Sequence, residues 1–219
     1  MKFVEIHHIC FNLKKCDMKK SIIEAIGTMF LVLVICLTGD ALSIGCVLMV
    51  MVYMGGHISG AHFNPAVSLA VMMRGKMKSS EMMQYWIAQI AGGLIGAGVS
   101  YWLKGEASPV APPDGMDMIK VLGAEFIFTF ALALVVLNVA TSKDTANNSF
   151  YGLAIGFTVF AGAKAVGGIS GGAFNPAVGI APNVFAGNWS DIWLYIVAPL
   201  VGAALASIVF NMTSKADTE

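Results

Sequence analysis

The four-residue sequence Asn-Pro-Ala-Val occurs twice in this chain, at 64–67 and at 175–178, once in each half. Each copy ends a longer repeat. When the chain is shifted by 111 positions, residues 56–67 match residues 167–178 at nine of twelve places. Two such copies in an apolar chain indicate an internal duplication. Gly- and Pro-interrupted apolar segments at corresponding places in both halves are typical of proteins that bind a transported solute at the bilayer midplane.

The composition indicates a membrane protein. Hydrophobic residues make up 57% of the 219 residues and charged residues only 12%, whereas charged residues are about 25% of a soluble domain. The formal net charge is +0 and no long basic or acidic run occurs, so no nucleic-acid partner is predicted. The four cysteines form no Cys-x-x-Cys pair, and neither a disulfide framework nor a cofactor is implied.

Six segments are long and apolar enough to cross a membrane, whose hydrocarbon core of about 30 Å requires about 20 residues of helix. Two shorter apolar stretches follow the Asn-Pro-Ala boxes and, at about 1.5 Å per residue, cover only half of the membrane. The pattern predicts an all-α membrane protein with six transmembrane helices and two re-entrant half-helices. The predicted spans are 21–38, 41–58, 81–103, 119–140, 150–166 and 190–212, and the half-helices are 65–74 and 176–186.

Three spans in each half make the second half an inverted copy of the first, because an odd number of crossings starts the second copy on the opposite side of the membrane. Cytoplasmic segments carry an excess of Lys and Arg. With the N-terminus inside, ten of these residues are cytoplasmic and three are outside, so both termini are predicted to be cytoplasmic. The predicted units are a tail at 1–20, a membrane domain at 21–212 with repeats of about 21–103 and 119–212, and a tail at 213–219.

Two glutamates stand near the start of equivalent spans. Glu24 and Glu125 each begin the pattern Glu-x-x-x-Thr, in the first and fourth spans. A carboxylate in an apolar helix must be paired or hydrogen-bonded, and the free backbone N–H groups of the re-entrant loops are the expected donors. For one copy alone, a glutamate stabilised by the helix dipole explains the position equally well. Because both halves carry the pattern, we favour a structural role in which each glutamate buttresses a re-entrant loop.

The Asn-Pro-Ala boxes, Asn64-Pro65-Ala66 and Asn175-Pro176-Ala177, are typical of helix starts. Proline is favoured at the first helical position, and asparagine before it is a good N-cap. Two half-helices that meet by their N-termini bring both asparagines and two positive dipole ends to the midplane. The amide NH₂ groups remain as donors toward a passing molecule. A water there turns its oxygen to the amides, so it cannot relay a proton, and cations meet a positive potential.

The glycine-rich segments before the boxes are predicted to be extended backbone. Their carbonyl groups cannot face lipid without a partner, so they must line a cavity. The carbonyls predicted to line it are those of Gly60, Ala61, His62, Gly171, Gly172 and Ala173.

These features resemble the major intrinsic proteins, the family of aquaporins, over about residues 21–212. Besides both boxes, the resemblance includes the run from Gly56 to His62 and the run Tyr85-Trp86-Ile87-Ala88-Gln89 in the third span. It implies a right-handed six-helix bundle that assembles as a homotetramer with one pore in each subunit. It also implies a non-enzymatic channel whose partners are membrane lipid, water and small neutral solutes.

The selectivity constriction departs from the commonest pattern of this family. Many members carry Arg directly after the second box, where this chain has Val178. By family spacing the other three constriction positions are Ile44, Ala163 and Gly172. The resemblance is then to plant tonoplast intrinsic proteins, and it implies a wider, less polar ring that passes water with ammonia, hydrogen peroxide or glycerol. Dehydration of a polar solute in an apolar ring still costs free energy.

Lys164 adjoins one of these positions near the outer mouth. It can replace the missing positive charge, but a lysine that snorkels from a helix end is the favoured interpretation.

Other functions have weaker support. Gly168-Ile169-Ser170-Gly171 fits the Gly-x-Ser-Gly of rhomboid proteases, yet all four histidines precede Ser170, whereas in that family the activating histidine follows it. His57 and His62 lack the partners of a metal site. A secondary transporter needs an ionisable residue near mid-span, and Glu24 and Glu125 lie near helix ends. The remaining alternative is a non-transporting scaffold on the same fold, occluded by a loop or by Met51, Met54 or Phe160.

Overall fold

The computed structural model describes the backbone of residues 2–214 and the side chains of residues 18–214. This part of the chain forms eight α-helices and one 3-10 turn, with no β-strand. Six helices are long and apolar enough to span a membrane, the first of them from Met18 onward. The helices are α1 (Lys2–Thr38), α2 (Ala41–Ser59), α3 (Pro65–Met73), α4 (Ser79–Lys104), α5 (Met118–Thr141), α6 (Tyr151–Ser170), α7 (Pro176–Ala186) and α8 (Ile192–Thr213).

The predicted fold class is confirmed. Helices α1 to α4 and α5 to α8 repeat the same order of two spans, one half-helix and one span. The predicted N-terminal tail shares helix α1 with the first span, and most of the predicted C-terminal tail lies outside the described residues. Helix α6 continues four residues beyond its predicted end at 166, because it ends where Gly171 adopts the left-handed conformation of a C-cap (φ 86°) and not where the apolar pattern fades.

Glycines allow the spans of each repeat to pack backbone against backbone, as small residues do between membrane helices. In the first repeat a Cβ atom at Gly92 of α4 would overlap the Ala25 carbonyl of α1. In the second, a Cβ at Gly202 of α8 would lie 2.5 Å from the Phe126 carbonyl oxygen of α5. The two repeats meet in the same way, since a Cβ at Gly45 of α2 would lie 2.8 Å from a carbonyl oxygen of α6.

The close contact at Gly92 predicts a specific loss of stability. Gly92→Val forces α4 away from α1, and overpacking of this kind costs about 1–3 kcal/mol. The matched control is Gly123→Val in α5, because a Cβ at Gly123 meets no atom within 4 Å. Thermal unfolding of the purified protein in detergent, followed by tryptophan fluorescence, should show a lower midpoint for Gly92→Val alone. Equal midpoints for the two variants would contradict the packing account.

Candidate pore at the meeting point of the half-helices

Helices α3 and α7 begin with the same cap. Asn64 and Asn175 are extended, with φ of −157° and −160°, and a proline follows each at the start of the helix. The side-chain oxygen of Asn64 accepts a hydrogen bond from the Ala66 N–H at 2.8 Å, and that of Asn175 accepts one from the Ala177 N–H at 3.0 Å. Both asparagines are buried and line one small central cavity, so the two half-helices meet by their N-termini.

The two asparagines also tie the repeats together. The Asn64 amide donates to the Phe174 carbonyl at 2.8 Å, and the Asn175 amide donates to the Phe63 carbonyl at 2.8 Å. The sequence predicted that both N–H donors of each asparagine amide would be free for the solute. One of its two protons is instead taken by the other repeat, so each side chain retains a single donor for the cavity.

The loops before the boxes are not extended, and that prediction is wrong. In the first loop φ is 88° at Gly60, 52° at Ala61 and 49° at Phe63. The second loop repeats this, with φ of 86° at Gly171, 69° at Gly172 and 49° at Phe174. The reason is the anchoring carboxylate. Backbone that includes left-handed residues can turn successive N–H groups to one side, where they bind an anion, whereas extended backbone points them to opposite sides.

Glu24 is the anion at the first loop. Its side chain is fully buried, and all the partners that the structure gives it are donors. One oxygen accepts from the Ser59 hydroxyl at 2.7 Å and the His62 N–H at 3.0 Å. The other accepts from the Phe63 N–H at 2.7 Å and the Gln89 amide at 2.8 Å. The carboxylate therefore satisfies backbone donors that have no water or lipid partner at this depth.

Glu125 repeats this arrangement with one donor fewer. It accepts from the Ser170 hydroxyl at 2.7 Å, the Ala173 N–H at 3.0 Å and the Phe174 N–H at 2.7 Å. The serine in the rhomboid-like motif is thus hydrogen-bonded to a carboxylate, with no histidine among its partners in the described part of the chain. Both predicted buttress residues hold the loop that precedes their repeat's half-helix.

Several residues of this framework were given no structural role from the sequence, although Tyr85 and Gln89 belong to the run that carries the family resemblance. The Tyr85 hydroxyl donates to the Ser59 carbonyl at 2.6 Å, and the Tyr195 hydroxyl donates to the Ser170 carbonyl at 2.5 Å. The two tyrosines are 110 positions apart, so the repeat itself contained a signal for them. The repeat contained no such signal for Gln89, since the same shift leads to Pro199.

The four predicted constriction residues line one cavity of about 790 Å³, called the outer cavity because the predicted topology places it on the extracellular side. They are Ile44, Ala163, Gly172 and Val178. Phe160, a possible occluding residue, also lines this outer cavity, whereas Met51 and Met54 line neither it nor the central one.

Two lysines, Lys104 and Lys164, lie at the rim of the outer cavity. The ammonium group of Lys104 donates to the Cys36 carbonyl at 3.1 Å and to the Ser108 hydroxyl at 2.8 Å. Asp40 shares the rim with Lys164. Hydrogen bonds from Ser43 lower the pKa of Asp40, and the charge of Lys164 acts in the same direction. A negative group therefore accompanies the exposed Lys164 charge.

The central cavity is small, with a volume of about 20 Å³, whereas one water needs about 10–15 Å³. Its wall is mainly aliphatic and its polar side chains are His62, Asn64 and Asn175. The aliphatic side chains include Leu31, Leu48, Val67, Leu132, Ile155, Val159 and Val178. A cavity of this volume holds one or two waters.

The cavities form a series through the molecule. Ile44, Gly172 and Val178 line both the outer and the central cavity. His62 lines both the central cavity and a cavity of about 300 Å³, called the inner cavity because the predicted topology places it on the cytoplasmic side. At the rim of the inner cavity the Lys20 ammonium lies 2.7 Å from the Glu81 carboxylate. No cluster of His, Cys, Asp or Glu that could hold a metal ion occurs among the described residues.

Comparisons with known proteins agree with this architecture. The family model "Major intrinsic protein" matches residues 11–210. Aquaporin NIP1-1 of Zea mays is 35% identical over 211 residues, which are 89% of this chain and 74% of the relative. Aquaporin-8 of Notomys alexis is 34% identical over 210 residues, 87% of this chain and 80% of the relative.

A solved structure shows the same fold. The X-ray structure of the aquaglyceroporin from Plasmodium falciparum superposes with a TM-score of 0.79 and covers 90% of this chain and 96% of its own. At 21% sequence identity, this likeness concerns the fold alone.

The stability of the protein should depend on the acceptor oxygens of the two buried carboxylates. Glu24→Gln and Glu125→Gln each turn an acceptor oxygen into an NH₂ group that faces backbone donors. A buried donor left unsatisfied costs about 1–3 kcal/mol, so both variants should unfold at lower temperature. The control is Glu106→Gln, whose side chain is 75% exposed. The measurement is thermal unfolding in detergent, and wild-type midpoints for both buried variants would refute the buttress role.

Proposed function

The chain belongs to the major intrinsic protein family and is a passive channel for small solutes, and we propose that water passes in single file between Asn64 and Asn175. The observation that carries this proposal is the series of three cavities whose central member is lined by the two asparagines. Gly172 lines both the outer and the central cavity, and His62 lines both the inner and the central cavity. The central cavity of about 20 Å³ suits one or two waters.

Protons and cations are excluded at the asparagine pair. Each Asn side chain has one donor left for the file, and the N-termini of α3 and α7 add their positive dipole ends. A water between two donors offers its oxygen to them and points its hydrogens away, so the chain of donors and acceptors is broken there. The same positive potential repels a cation that would have to shed its water shell in this aliphatic wall.

The residues of the constriction favour the passage of other neutral solutes besides water. Ile44, Ala163, Gly172 and Val178 offer no charged side chain, so the outer ring selects by size and by the cost of dehydration. Ammonia and hydrogen peroxide are close to water in size and fit the small central cavity. Glycerol is larger, and we propose that its flux is the slowest of this group.

The assembly and orientation belong to the same proposal. We infer a homotetramer with one pore in each subunit and both termini in the cytoplasm, supported by the excess of Lys and Arg on that side. Large apolar side chains cover the outside of the bundle and suit lipid or a neighbouring subunit. Among the most exposed are Ile87, Trp102, Ile119 and Met212.

The proposal is tested by stopped-flow light scattering on proteoliposomes of the purified protein. A sucrose gradient should produce shrinkage much faster than in empty liposomes, because water leaves through the pore. A glycerol gradient measured beside it should give slower reswelling that still exceeds the empty control. No water flux above empty liposomes, with folded and tetrameric protein, would overturn the proposal and favour the occluded scaffold.

The constriction is tested by two variants at one position. Val178→Arg adds a bulky fixed cation, whereas Val178→Leu adds bulk without charge. We expect Val178→Arg to lower glycerol flux at least several-fold while water flux falls less, since a single water needs the least width. If Val178→Leu lowers glycerol flux to the same extent, width decides the selectivity. If neither variant changes the glycerol-to-water ratio, Val178 does not line the constriction.

A further inference from the structure

A chain of hydrogen bonds runs from the buttress of the first repeat to the pore. The Gln89 amide nitrogen donates to Glu24 at 2.8 Å and to the Ser68 hydroxyl oxygen at 3.0 Å. The Ser68 oxygen lies 3.0 Å from Nδ1 of His62. All four side chains are buried, and His62 lines the central and inner cavities.

The direction of each hydrogen bond in this chain follows from its first member. Glu24 faces donors only, so the Gln89 atom beside it must be the NH₂ group. Both protons of that group are then used, one for Glu24 and one for Ser68. Ser68 accepts from Gln89, and among the described residues the acceptor within reach of its hydroxyl proton is Nδ1 of His62. Nδ1 is therefore an acceptor, and the ring proton sits on Nε2.

The second ring nitrogen is available to the pore. Among the described residues Nε2 of His62 has no hydrogen-bond partner, and it is not one of the side-chain atoms buried without a partner. The ring is also held by Tyr85, whose centroid lies 5.2 Å away in an edge-to-face contact. A fixed N–H donor thus faces the file on the inner side of the two asparagines.

The second repeat has no counterpart of this chain. A shift of 111 positions leads from His62 to Ala173 and from Ser68 to Gly179, and a shift of 110 leads from Gln89 to Pro199. None of these three residues can extend a side-chain hydrogen bond from Glu125. The chain of hydrogen bonds from Glu24 to His62 therefore occurs only in the first repeat, on the inner side of the pore.

We propose that Glu24, Gln89 and Ser68 hold His62 in the single tautomer with its proton on Nε2, and that this N–H is a hydrogen-bond donor to the solute file between the asparagines and the inner cavity. Ser68 and Gln89 are positioning residues, and His62 is the group that contacts the solute. The role in the file rests on the proposed channel function, whereas the tautomer does not.

The tautomer is tested by ¹⁵N solid-state NMR of histidine-labelled protein in proteoliposomes. The His62 signals are assigned by their loss in His62→Asn. We expect one neutral form with protonated Nε2 and unprotonated Nδ1, while the exposed His57 serves as an internal comparison. A proton on Nδ1, or on both ring nitrogens, would overturn the proposal whether or not the protein conducts water.

The relay is tested by Ser68→Ala, which removes the donor to Nδ1. A second His62 signal with protonated Nδ1 should appear, because the ring is no longer restricted to one form. The matched control is Ser207→Ala, since Ser207 is equally buried and its hydroxyl has no partner. Ser68→Thr retains the hydroxyl and should keep the single tautomer. An unchanged His62 spectrum in folded Ser68→Ala would contradict the relay.

Water flux separates this proposal from the proposed function. Ser68→Ala should lower osmotic water permeability measurably, by up to about fivefold, the factor that corresponds to one ordinary hydrogen bond, and Ser207→Ala should leave it unchanged. A mixed tautomer with unchanged flux would show that the His62 donor does not contact the file. Absence of flux in the wild type, with the expected spectrum, would instead refute the channel function alone.

Discussion

The structure depends on one constraint, namely that backbone N–H groups inside a bilayer must have partners within the protein. Two loops enter the bundle to reach the starts of α3 and α7, and their amide groups cannot turn to lipid. Glu24 and Glu125 collect these donors, one carboxylate for each loop. The left-handed residues of the loops follow from this, since they let successive N–H groups point at one anion, whereas an extended backbone points them to opposite sides. The positions of both boxes, and hence the pore, follow from the loops.

The two repeats are joined at the capped starts of their half-helices. Asn64 and Asn175 each cap their own half-helix and donate to the loop of the other repeat. The exchanged pair holds two positive helix ends together, and the carbonyl groups of Phe63 and Phe174 offset part of that charge. Glycine pairs such as Gly45 and Gly156 let α2 and α6 cross with their backbones in contact. The small central cavity is the space that remains between these fixed elements.

The departures from two-fold symmetry separate the inner from the outer half of the pore. The first repeat adds polar groups on the inner side, namely His62, Ser68 and Gln89. The equivalent positions of the second repeat are Ala173, Gly179 and Pro199. The outer side has the apolar ring, with Lys104 and Lys164 at its rim. A pore built by duplication thus acquires different chemistry at its two ends through substitutions at a few equivalent positions.

The sequence by itself determined the six spans, the two half-helices, their caps and the inverted repeat, because each rests on local apolar length, proline position or self-similarity. It also singled out both buried glutamates, since a charge in a span requires a partner. The tertiary structure alone decided which donors each glutamate collects, the exchange between Asn64 and Asn175, and the left-handed loops that were predicted as extended. These features depend on contacts between residues far apart in the chain, such as Gln89 with Glu24, and no local pattern specifies which distant groups meet.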